Sequence, residues 1–154
     1  MFFSGKGRTS TIKMGKTDND KYCCVKIINK EFIFRKEMEE RHILNEREAF
    51  YELDSPFCAK LLANFEDSQF CYFAMEFAPG GQLTRLLELY TKLPADTAKF
   101  YLTEIFAALE HIHAMGFAYR DLKPENVCID EDGHVKMVDF GSCIRYDGHA
   151  SGKM

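Results

Sequence analysis

Between Tyr119 and Gly141 the sequence sets an acid, a cation, an amide and a second acid at short, ordered spacings: Asp121, Lys123, Asn126 and Asp139. These side-chain types suit phosphoryl transfer. That reaction needs a substrate hydroxyl held in line, an acceptor for its proton, and cations or a metal to neutralise the phosphate charge. The carboxylate of Asp121, the ammonium of Lys123 and the amide oxygen of Asn126 supply such groups within one loop. Asp139 adds a hard oxygen ligand of the kind magnesium takes. Between them, Val127 to Ile129, the turn Asp130-Glu131-Asp132-Gly133 and His134 to Val138 read as a hairpin, which would bring Asn126 and Asp139 together. A charged surface loop would account for any one of these residues. The ordered run Tyr119-Arg120-Asp121-Leu122-Lys123-Pro124-Glu125-Asn126, with Asp139-Phe140-Gly141 beginning thirteen residues after Asn126, argues for the chemistry.

That run resembles the catalytic loop and magnesium-binding triplet of protein kinases. The tyrosine at 119, in place of the commoner histidine, is similar to the AGC group of serine/threonine kinases. The resemblance implies ATP and Mg2+ as cofactors and a protein hydroxyl as substrate. It makes Asp121 the catalytic base, has Lys123 steady the transferring phosphate, and has Asn126 and Asp139 hold magnesium. Upstream, Cys23-Cys24-Val25-Lys26 resembles the third-strand V-A-I-K pattern, which implies Lys26 on the α- and β-phosphates and a helical glutamate as its partner. Glu46 is that glutamate: Ile43, Glu46, Phe50 and Leu53 follow spacings of three, four and three, so Glu46 falls inside the apolar stripe of a helix. A carboxylate placed there calls for a buried cation.

The opening Gly5-Lys6-Gly7-Arg8-Thr9-Ser10-Thr11-Ile12 resembles the G-x-G-x-x-G-x-V phosphate loop, with Ser10 in the third glycine position and Ile12 replacing valine. Glycines such as Gly5 and Gly7 let backbone N–H groups approach phosphate oxygens. The resemblance further implies an adenine slot between two halves. Ile12 and Cys24 would form its roof, Cys128 and Val138 its floor, and Met75 its gatekeeper. The backbone of Glu76 and Ala78 would meet the adenine edge. Gln82 stands where the group usually carries an acidic residue against the ribose. Phe50, Leu61, Tyr119 and Phe140 would stack as an apolar column.

The elements that must position these groups are legible from pattern. Strands are expected at Tyr22 to Ile28, Cys58 to Phe65 and Phe70 to Phe77. A charged helix should run from about Lys36 to Leu53, closed by Asp54-Ser55-Pro56. After Ala78-Pro79-Gly80-Gly81 the chain turns helical: Gln82 to Tyr90, then about Ala95 to Met115, with Ala98, Tyr101, Leu102, Ile105, Leu109 and Ile112 on one face and Gly116 as the stop. The expected fold is therefore α+β and protein-kinase-like. Residues 1–78 would be an antiparallel N-lobe with its hinge and one main helix, and residues 79–154 the start of a helical C-lobe.

Composition narrows the classes. With 154 residues, 46% hydrophobic and 29% charged, the chain can bury a core. Its net charge of -4 favours neither nucleic acid nor an anionic membrane as partner. No apolar run approaches the roughly 18 residues that span a bilayer, and no signal peptide is expected. Cys23, Cys24, Cys58, Cys71, Cys128 and Cys143 lack metal-site spacing and read as free thiols in a reducing, cytoplasmic compartment. The sequence ends soon after Asp139-Phe140-Gly141, with no A-P-E, so three readings stand: a piece of a catalytic domain, a catalytically inactive ATP-binding or interaction module, or a non-functional product of an incomplete gene model. Within the group, Ser142-Cys143 resembles the myotonic-dystrophy-kinase and Rho-kinase branch, whereas Tyr119-Arg120-Asp121-Leu122 resembles the cyclic-nucleotide-dependent branch.

Overall fold

The computed structural model describes residues 5–6, 10–31 and 37–146. The chain divides into two compact units, one of residues 1–43 and 59–77 and one of residues 44–58 and 78–154.

The first unit is a five-stranded antiparallel sheet in the order β1-β2-β3-β5-β4. Its strands are β1 (Gly5–Lys6), β2 (Ser10–Lys16), β3 (Tyr22–Asn29), β4 (Leu61–Glu66) and β5 (Phe70–Glu76). Aromatic and β-branched residues make up about half of β3 and β5, where side chains pack on a pleated surface. The β2–β3 turn is closed by Thr17, which accepts Lys21 N–H on its hydroxyl and Asp20 N–H on its carbonyl, and the β4–β5 turn by an acidic side chain. Asp67 accepts the N–H groups of Gln69 and Phe70, each at 2.7 Å, which closes the β4–β5 hairpin. Strand β4 starts at Leu61, three residues later than its apolar pattern predicts. Cys58 instead makes an isolated parallel bridge to Met137 in the second unit's own sheet region, and its N–H is held by the Ser55 carbonyl at 3.1 Å.

The second unit gathers the C-terminal part of helix α1 (Glu37–Glu52), helices α2 (Leu83–Tyr90) and α3 (Ala95–Ala114), and a set of short strands. Strands β6 (Gly81–Gln82), β8 (Val127–Ile129) and β9 (Val135–Met137) form one sheet, and β7 (Phe117–Ala118) pairs with β10 (Ile144–Arg145). Its core is Phe50, Ile112, Phe117, Tyr119, Val127, Val135, Met137 and Phe140, all buried. Gly116 ends α3 with φ of 81°, a left-handed value that glycine adopts without strain.

Helix α3 departs from its expected face at one position and adds another. Leu102 is 50% exposed, while Glu104 is buried with Ile105, Ala108 and Ile112. The carboxylate points inward because the hairpin beneath it offers donors, as described below. Phe100 and Phe106 on the same helix are also exposed.

Gly80 is held by closeness rather than by φ. Its N–H donates to Ile129 O at 2.9 Å, and a Cβ added there would lie 2.8 Å from both the Cβ and the carbonyl oxygen of Ile129. Gly80→Ala is expected to destabilise the protein by about 1–3 kcal/mol in chemical denaturation, the usual cost of overpacking. No change in the unfolding midpoint would show that the strand yields instead.

Candidate active site

The loop before β8 folds around Asp121. Lys123 Nζ donates to Asp121 Oδ2 at 2.7 Å, and Asn126 Nδ2 donates to the same oxygen at 2.9 Å and to the Asp121 carbonyl at 3.0 Å. The 3₁₀ turn Pro124–Asn126 places Asn126, which is buried, at the mouth of β8. With both its amide hydrogens directed at Asp121, Asn126 turns its Oδ1 away from that loop. The bond to Asp121 keeps the Lys123 ammonium charged, raising its pKa above the ordinary lysine value.

Asp139 lies just beyond β9, and Val138 N–H donates to Asn126 O at 3.0 Å, so the two proposed metal ligands sit at adjoining strand ends. Asp139 has φ of 59° and Arg120 φ of 65°, both left-handed and costly for non-glycine residues. Each is locked from outside. Arg120 Nε donates to Ser142 O at 2.8 Å, and the Tyr119 hydroxyl donates to Val138 O at 2.5 Å. Burial, and next the charge of Asp139, push the Tyr119 phenol well above its ordinary pKa, so it stays a donor. A Cβ at Gly141 would lie 3.4 Å from Asp139 Oδ1 and 3.6 Å from Glu46 Oε2, which shows both carboxylates flanking that glycine. Glu46 is 2% exposed, as its place in the apolar stripe predicts, whereas Glu48 is solvent-facing.

Three rings of the expected column meet within the second unit. Phe140 stands edge-on to Phe50 at 5.0 Å and to Tyr119 at 5.9 Å. Gln82 and Cys128 are register partners on β6 and β8, with Ala78 O accepting Gly81 N–H just upstream.

The first unit brings four more predicted residues onto one sheet face. Ile12 lies opposite Lys26, and Cys24 lies opposite Met75. Cys24 and Lys26 are two apart on β3, and directly opposed residues share a face, so all four project together. Glu76 pairs with Cys23, and Gly5 pairs with Ile12 across β1 and β2. Gly7 lies outside the described residues, as does Lys36 at the expected helix start.

Two participants were not singled out from the sequence. Arg145 binds Glu48 at 2.8 Å and also Glu52, while its guanidinium covers the Phe117 ring at 4.7 Å. One arginine thus joins β10, β7 and α1. Nothing local in the sequence announces a contact across almost a hundred residues. Glu104 is different: it sits between Tyr101 and Ala108 on the inward row of α3, the same signal that marks Glu46.

All six cysteines are free. Burial, foremost, raises the thiols of Cys58 to about 11 and Cys143 to about 12, so both remain protonated and pack as apolar groups.

Magnesium suits the donor set. It is usually held by one or two protein oxygens together with phosphates and water. Asn126 Oδ1 and the Asp139 carboxylate supply oxygens of that kind. Among the described residues no group of three or more His, Cys, Asp or Glu side chains forms a metal cage.

Comparison with known proteins agrees with this geometry. The protein kinase domain model matches residues 4–153. The serine/threonine-protein kinase CBK1 of Pneumocystis carinii is 39% identical over 138 residues, covering 89% of this chain and 27% of that protein. The serine/threonine-protein kinase DBF20 of Saccharomyces cerevisiae is 43% identical over 126 residues, covering 82% and 22%. The cAMP-dependent protein kinase catalytic subunit PRKX of Mus musculus is 38% identical over 135 residues, covering 88% and 37%. The chain therefore spans only 22% to 37% of the length of these curated relatives.

Proposed function

Because the chain belongs to the protein kinase family, in its AGC group of serine/threonine kinases, we propose that it binds ATP with Mg2+ and supplies the nucleotide-binding and catalytic-loop part of a cytoplasmic enzyme that phosphorylates protein hydroxyls. The observation that carries this reading is the Asp121–Lys123–Asn126 cluster, tied through Val138 to Asp139.

In this proposal Asp121 accepts the hydroxyl proton and Lys123, already against it, steadies the phosphate. Asn126 and Asp139 hold magnesium, which neutralises phosphate charge when bound. Lys26 contacts the α- and β-phosphates, with Glu46 as its partner, and Gly5 and Gly7 bring backbone N–H groups toward the phosphates. Ile12, Cys24, Cys128 and Val138 enclose the adenine, with Met75 behind it and the backbone of Glu76 and Ala78 at its edge, while Gln82 faces the ribose. Neither nucleic acid nor a membrane is a partner in this reading. Among the described residues no helix is long and apolar enough to cross a membrane.

Two measurements test it. Ligand at a hundred times its Kd stabilises a protein by about 2.7 kcal/mol, so saturating Mg-ATP is expected to raise the melting temperature by about 5–10 °C. No shift would remove the binding claim. Transfer of the γ-phosphate to a serine or threonine peptide, abolished by Asp121→Asn, would mark the chain as an enzyme. Binding without transfer would leave it a nucleotide-binding module.

A further inference from the structure

Strand β9 runs directly into Val138 and Asp139, so whatever fixes its backbone fixes the proposed metal ligand. One edge of β9 pairs with β8, with Val135 opposite Ile129 and Met137 opposite Val127. The N–H groups of Val135 and Met137, two residues apart, find their acceptors outside that pairing. Met137 N–H donates to Phe57 O at 2.7 Å, and Val135 N–H donates to Glu104 Oε2 at 2.8 Å. A side-chain carboxylate from α3 thus does what a neighbouring strand would do. Its other oxygen, Oε1, lies 2.6 Å from His134 Nδ1. Glu104 is 7% exposed, so its charge is stabilised by these two partners and not by bulk water.

We propose that Glu104 is a positioning residue for the magnesium–nucleotide site, holding β9 at the height that presents Asp139, with His134 as the partner that orients its carboxylate. The inference rests on the function proposed above and goes beyond it, since Glu104 reaches neither nucleotide nor metal. Groups that support a ligand in this way commonly change metal affinity by an order of magnitude or more when removed.

His134 makes the arrangement sensitive to pH. The groups facing it are Glu104 from α3 and Asp130 and Asp132 from its own turn, and the Phe100 ring packs at 5.7 Å. Glu104, foremost, raises the imidazole above its ordinary pKa. A raised pKa means that the protonated pair contributes fully below the ordinary histidine value, and that the contribution fades as pH rises through the raised one.

The test is the affinity of this chain for ADP, measured with excess magnesium and with EDTA. Glu104→Ala is expected to weaken binding about tenfold with magnesium and less than about twofold with EDTA. Glu104→Gln keeps an acceptor for Val135 N–H but not the charge. It should fold even where the alanine variant does not, and bind Mg-ADP within about threefold of the parent. His134→Gln keeps a neutral donor, so the ratio of parent to His134→Gln affinity isolates the imidazolium. That ratio should fall toward one as pH rises through and above the ordinary histidine range, and it should be flat throughout in the Glu104→Gln background. Equal losses with and without magnesium, no loss in Glu104→Ala, or a pH-dependent ratio that persists without the Glu104 charge would each overturn the inference while leaving the proposed function standing. Absence of any magnesium effect in the parent protein would instead overturn the function and this inference with it.

Discussion

Asp139→Asn is expected to weaken magnesium-dependent ATP binding by about 10- to 100-fold, or about 1.4–2.8 kcal/mol, while leaving the melting temperature of the ligand-free protein within a few degrees of the parent. The asymmetry follows from the backbone. Asp139 has φ of 59°, a conformation that most side chains resist and asparagine tolerates nearly as well as aspartate. The exchange therefore removes a charge from the metal without adding strain. Alanine at 139 would confound the two effects. The measurement is a pair of binding titrations, with and without magnesium, beside a thermal melt. If asparagine lowers affinity equally in both titrations, Asp139 acts on the fold and not on the metal.

Phe140→Ala is expected to cost about 3–5 kcal/mol, the range for removing a buried phenyl ring. Phe140 has no exposed surface and stands edge-on to Phe50 and Tyr119 at 5.0 and 5.9 Å. It thereby joins three separate parts of the second unit: helix α1, the segment before the catalytic loop, and the turn after β9. Little can collapse into the space it leaves, because the neighbouring rings are fixed by the Tyr119–Val138 bond and by helix α1. At roughly 2–4 °C per kcal/mol for a chain of this size, the melting temperature should fall by about 10 °C. A loss under about 1 kcal/mol would mean that the cavity fills by local repacking.

Most of the site was legible because its groups sit in one short stretch. Asp121 to Asn126 and Asp139 are ordered by a loop and a hairpin, so local turn chemistry makes them readable together, although Tyr119 and Glu104 hold the hairpin from outside. Glu46 was legible for a related reason: helical spacing alone put a carboxylate among apolar neighbours, and it is buried. The same spacing rule marked Leu102 as inward, and there it failed. Helix α3 is rotated so that Glu104 takes the inward place; spacing puts it on that row, but the benefit that holds a carboxylate there comes from a backbone N–H on a strand 31 residues away. The start of β4 was misplaced for a like reason. Cys58 and Ala59 look like strand, but their surroundings pair Cys58 with Met137 instead. The contact of Arg145 with Glu48 and Glu52 is longer-range still and leaves no mark in local sequence. What pattern reading lacks throughout is the side chain that substitutes for backbone, or the ion pair that closes a long loop.

In the function proposed for it, this chain binds a magnesium-complexed nucleotide through its own residues. Calorimetric titration of ATP into the purified chain, with excess magnesium and again with EDTA, tests it most directly. Saturable binding at one site per chain is expected, tightened at least about tenfold by magnesium, with that tightening lost in Asp139→Asn. Binding that is absent, or that is equally strong with EDTA and in the Asp139→Asn protein, would contradict it.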